Sequence, residues 1–141
     1  MKIIDLIEDY TIPTWENYPN IEGFRVLIRM PDVPKTYSMM ARAWREERKE
    51  IGQADSDIPV DIGISLVRYA VSDWHGLRVS GLRILAPGYK VGGDPEQEIP
   101  FSGENLDSLL RISGSFFIWV LGKVRERQEA AAQEAEEVKN L

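Results

Sequence analysis

The sequence contains no cysteine and a single histidine, His75. The first absence excludes a disulfide framework and every thiolate metal site. The second limits any metal centre or catalytic relay to one imidazole, at an expected helix C-terminus where a cationic ring is favoured for structural reasons alone. Long apolar runs are also missing. The longest, around Phe116 to Leu121, falls far short of the roughly 20 residues needed to span a bilayer. The opening "MKIIDLIEDY" carries acids where a secretory signal would stay apolar. Positive charge is in deficit, with 17 basic residues against 23 acidic ones and a net charge of −6. No field therefore steers the chain toward nucleic acid or an anionic membrane. No internal repeat is present. These absences predict a cytoplasmic protein with no cofactor and no nucleic-acid or membrane partner.

What remains is a chain of 141 residues, 43% hydrophobic and 28% charged, long enough for one domain with a core of its own. In "FRVLIRM", Phe24, Val26, Ile28 and Met30 alternate with Arg25, Leu27 and Arg29, the period of a half-buried strand. Thr11 to Trp15 is a plausible partner strand, with "ENYPN" as the reversal. A ribbon of two strands is marginal alone and must lean on helices.

Three main helices are expected. The first covers about Thr36 to Ile51, with Met40, Ala43, Trp44 and Ile51 on one face and a solvated face of mixed charges opposite. The second runs from about Ile58 to Trp74, capped by Asp57 and ended by Gly76, with Leu66, Val67, Ala70, Val71 and Trp74 as its buried stripe. A connection rich in glycine and proline follows, with a short helix or strand at Leu82 to Leu85. The third helix opens at "EIPFSGENLDSLL". Ser102 is its N-cap, Phe101 and Leu106 have the spacing of a hydrophobic staple, and Glu104 suits the positive helix end.

Read as one continuous helix, this third element has excess apolar girth. Leu106, Leu109, Leu110, Phe117, Val120, Leu121 and Val124 form one stripe, and Ile112, Phe116 and Trp119 form a second beside it. Together they span roughly 200° where about 100° serves a surface helix. The helix is therefore either sandwiched in the core or missing a partner, and in the second case Ile112, Phe116 and Trp119 are the candidate protein-binding residues. The tail "RERQEAAAQEAEEVKNL" is alanine-rich and charged, and continues the helix into solvent.

No constellation of catalytic groups emerges. Asp94, Glu96 and Glu98 make an acidic turn without the ligand pattern of a calcium loop, "GGD" lacks a following P-loop lysine, and Ser102 and Ser113 sit in no nucleophile elbow.

Residues 66–121 resemble a pattern in small tail proteins of tailed bacteriophages, the tail assembly chaperones and their relatives. A helix ending "VRYAVSDWHGL", a Gly/Pro connection and a start "EIPFSGENLDSLL" carry the resemblance, at Trp74, Gly76, Pro100, Phe101, Asn105 and Leu106. The connection from Leu77 to Glu98 is longer than the pattern has. The resemblance implies a non-enzymatic factor of the host cytoplasm that binds a helical, tape-measure-like protein.

The expected fold is α+β: a short N-terminal β ribbon packed on about three main helices, the last with a polar extension. Residues 1–127 form one globular domain and residues 128–141 a polar tail, helical or frayed. The expected function is protein binding in phage tail assembly. An oligomerising structural subunit, such as a minor tail or head–tail connector component, is the alternative, and a small-ligand enzyme with a site under the Gly-rich loop is a third reading.

Overall fold

The computed structural model describes residue 2, residues 12–30 and residues 60–139. The helix expected over Thr36 to Ile51, the N-cap Asp57 and the start of the β ribbon at Thr11 lie outside the described residues. Within them the order is β1 (Thr14–Asn17), β2 (Arg25–Ile28), α1 (Val60–Ala70), β3 (Val71–His75), α2 (Val79–Leu85), α3 (Gly103–Ile112) and α4 (Gly114–Lys139). The fold is α+β, as expected.

The alternation of β2 is realised. Phe24, Val26, Ile28 and Met30 are buried, and Arg25 is exposed. β1 pairs antiparallel with β2, Trp15 opposite Leu27; Glu16 and Asn17, expected in the reversal, are strand residues opposite Val26 and Arg25, and the reversal after them is closed by the Tyr18 amide donating to the Phe24 carbonyl (2.9 Å).

The ribbon has a third strand. Val71–His75, expected as the end of a helix, is β3, antiparallel to the other side of β2. The correction has a local cause. Val26 pairs with Trp74 and Leu27 with Asp73, but Ile28 pairs with Val71, so Ser72 is the extra residue of a β-bulge. The bulge turns Val71 and Trp74, three residues apart, toward one face, and both are buried there. In a regular strand residues i and i+3 face opposite ways, so the bulge reproduces a helical spacing inside a sheet.

One cluster of buried residues joins the inner sheet face to the helices: Phe24, Val26, Ile28, Val71 and Trp74 on the sheet side, Val67, Leu106, Leu109, Phe116, Val120 and Val124 on the helical side. Phe24 stacks on Phe116 at 6.3 Å and meets Trp74 edge-on at 6.5 Å. α1 crosses α4 closely at Gly63, where an added Cβ would stand 2.8 Å from the Phe117 ring. Arg127 on α4 donates to the carbonyls of Ile28 (3.1 Å) and Ile12 (3.0 Å), tying the helix to the sheet at its far end.

The Gly/Pro connection is pinned. The first amides of α2, Val79 and Ser80, donate to the carbonyls of Gln97 and Pro95 (both 3.0 Å), so the returning loop satisfies groups that a helix start leaves open. Arg83 donates to the carbonyls of Val91 and Gly93 (both 3.3 Å).

Candidate functional site

The expected third helix is two helices, and the break decides which side chains reach solvent. Ser113 is extended (φ −124°, ψ 95°), and its amide donates to the Leu109 carbonyl to finish α3. Its Oγ accepts from the Phe116 amide at 3.2 Å, the bond of an N-cap on α4. Gly114 follows as the first residue of α4. Ser113 itself is 1% exposed, and its hydroxyl is satisfied by that amide and by the Ser115 hydroxyl at 3.2 Å. One residue thus closes one helix and opens the next, and the helical phase restarts.

The restart corrects the candidate surface. Phe116 is 0% exposed, lying against Phe24, Tyr18 and Trp119, so it is a core residue and not a contact residue. Trp119 is half-buried, with the Tyr18 ring edge-on at 4.8 Å on one side and the Lys123 ammonium 6.0 Å from its centroid. Ile112, at the end of α3, is half-buried. The structure does not bring the three expected residues together as one exposed patch. The intact wheel that placed them side by side requires a continuous helix through Ser113.

Ile118 is the residue that sequence reasoning missed. It is 68% exposed, more than any other exposed large hydrophobic among the described residues. At 100° per residue it points away from the pole set by Phe116, Val120 and Val124. Gly114 and Gly122, one turn to either side, have nothing within 4 Å of where a Cβ would stand. Their bare backbone leaves Ile118 as a single apolar knob on a smooth surface. The signal for it was "RISGSFF": a serine followed by glycine inside an apolar run marks a cap and a restart.

Of the residues that carry the resemblance, Trp74, Pro100, Phe101 and Asn105 come together as a structural node. The Trp74 indole Nε1 donates to the Ile99 carbonyl at 2.9 Å, and its ring meets Phe101 edge-on at 5.1 Å. Asn105 donates through its side chain to the Pro100 carbonyl (2.9 Å), and its amide donates to Ser102 Oγ (3.0 Å), the expected N-cap bond. Leu106 is buried in the core. Gly76 has φ +78° and lies against the backbone of Gly23. The node fastens the end of β3 to the start of α3.

Beside the node, Trp74, His75, Glu98, Ile99, Pro100 and Phe101 line a surface depression of about 430 Å³. His75 is exposed there and leans on the edge of Trp15 at 5.8 Å, while the Arg25 guanidinium lies 5.3 Å from the Trp15 centroid. These contacts account for the histidine as a surface packing residue. Asp94 and Glu96 hold the loop: the Glu96 amide donates to Asp94 Oδ1 at 3.0 Å and the Glu96 carboxylate pairs with Arg78 at 3.2 Å. Among the described residues no group of three or more histidines, aspartates and glutamates is arranged to hold a metal. No described helix is long and apolar enough to cross a membrane.

Comparison with family models, with curated proteins and with solved structures finds no match to this chain.

Proposed function

We propose that the chain is a non-enzymatic phage tail assembly factor, acting in the host cytoplasm, that binds a helical, tape-measure-like protein through the outer side of α4. The observation that carries the reading is the knob of Ile118 between Gly114 and Gly122. An apolar side chain flanked by bare backbone suits a partner helix, which can approach closely over the glycines and receive the knob between its own side chains. Half-buried Trp119, the next residue of the helix, borders that surface. Burying an isoleucine of this exposure is worth roughly 1.5–3 kcal/mol, so it serves as an anchor within a larger footprint. The meeting of Trp74, Pro100, Phe101 and Asn105 in one node supports the likeness to tail assembly chaperones, because residues from two separated parts of the pattern cooperate there.

The test is calorimetric titration of the full chain with peptides tiling the apolar helical segments of phage tape-measure proteins. At least one peptide is expected to bind, and Ile118→Asp to weaken that binding about tenfold or more. Binding by no peptide, or binding indifferent to Ile118→Asp, would overturn the proposal.

A further inference from the structure

Helix α4 continues past its last contacts with the described core. Among the described side chains of this helix, Val124 and Arg127 are the last that are not exposed, and every described side chain from Gln128 to Lys139 is exposed. That is about 18 Å of helix at 1.5 Å per residue, a length that is marginal in water without tertiary packing.

The outer line of the same helix is complementary to itself about its middle. Ile118, Gly122, Arg125, Glu129, Ala132 and Glu136 lie within about 40° of the direction of Ile118 around the axis, an arc of about 80°, at alternating spacings of four and three, the spacing of a two-helix seam. Arg125, Glu129, Ala132 and Glu136 are exposed, as are Ile118 and Gly122. Reversing the helix about Arg127 lays Arg125 on Glu129 and Gly122 on Ala132. The flanking charge follows the same division. Residues 114–127 hold three basic side chains and one acid, and residues 128–139 hold four acids and one base. α4 also has no acid in its first turn. An antiparallel copy brings Glu136 and Glu137 to that positive helix end, whereas a parallel copy stacks Arg125 on Arg125 and Glu129 on Glu129.

We infer that, in the absence of the helical partner of the proposed function, this face is occupied by a second copy of the chain, paired antiparallel along α4 between Ile118 and Glu136. Two reciprocal Arg125–Glu129 contacts flank the dyad, and the small side of Gly122 receives Ala132 at close range. The inference goes beyond the docking proposal, and the two fail separately: self-association is measured with no peptide present, and the charge swaps below leave Ile118 in place.

Sedimentation equilibrium of the full chain at low salt tests it. A monomer–dimer equilibrium is expected, with R125E alone and E129R alone each weakening the dimer about tenfold or more and the double swap restoring it to within about threefold. Orientation is read by crosslinking, since the chain has no cysteine. Oxidised mixtures of G122C chains with A132C chains are expected to give covalent heterodimers, and either variant alone to give few. A monomer at every concentration up to about 300 μM, a dimer indifferent to both swaps, or equal crosslinking by each variant alone would overturn the inference.

Discussion

The backbone of Gly76 rests against the carbonyl of Gly23, with no room for a side chain between them. Gly76 stands at φ +78°, the left-handed region, and an added Cβ would overlap the Gly23 carbonyl oxygen. The approach joins the end of β3 to the reversal between β1 and β2. Gly76→Ala faces both backbone strain and a clash with an atom that the sheet holds in place. It is expected to cost roughly 3 kcal/mol or more, a large share of an ordinary domain's stability. Urea denaturation measures it, and a loss below about 1 kcal/mol would contradict the close approach.

Phe116 and Ile118 are two positions apart and are expected to behave oppositely. Phe116→Ala opens a cavity among Phe24, Tyr18 and Trp119 and is expected to cost about 3–5 kcal/mol. Ile118→Ser, at an exposed site, is expected to change stability by about 0.5 kcal/mol or less. Similar losses in the two variants would mean that the helix sits in another rotation.

Ser113→Ala removes the side-chain acceptor for the Phe116 amide at a buried helix junction. The expected cost is about 1–2 kcal/mol, at the upper end for an N-cap because water does not replace the lost bond. Ser113→Asn, which keeps an acceptor, is expected to test whether the cap or the packing dominates: it recovers part of the loss in the first case and none in the second.

Deletion of residues 128–141 removes described side chains that are all exposed and retains Arg127, whose bonds to the Ile12 and Ile28 carbonyls hold α4 on the sheet. At low protein concentration the melting temperature is expected to move by only about 2–4 °C. Arg127→Ala in the full chain is expected to cost about 1.5–3 kcal/mol, since a charged donor to two carbonyls is lost. A larger drop on deletion than on Arg127→Ala would show that the tail packs on the body.

Legibility in the sequence followed the range of the interaction involved. β2 was readable because alternation records burial on one face residue by residue. The start of α3 was readable because Ser102, Phe101 and Leu106 act within one helical turn. Gly76 was recognised as a left-handed position, though it ends a strand and not a helix. β3 was misread because the bulge at Ser72 gave Val71 and Trp74 a helical spacing, and a bulge is recorded by the partner strand. The candidate surface was misread because Ser113 admits two states, helix interior or double cap. Local preference does not separate them.

The amino-acid order by itself set the α+β class, the β1–β2 ribbon, the cap at Ser102 and the charged extension of the last helix. Each of these follows from contacts or solvation within a few residues of chain. The third strand, the division of α3 from α4 and the exposure of Ile118 in place of Phe116 were decided by the tertiary structure. Each depends on which surfaces meet across the core, where a buried backbone group must find its partner at long range. The aromatic packing of Phe24, Phe116 and Tyr18 is made only when sheet and helices close together.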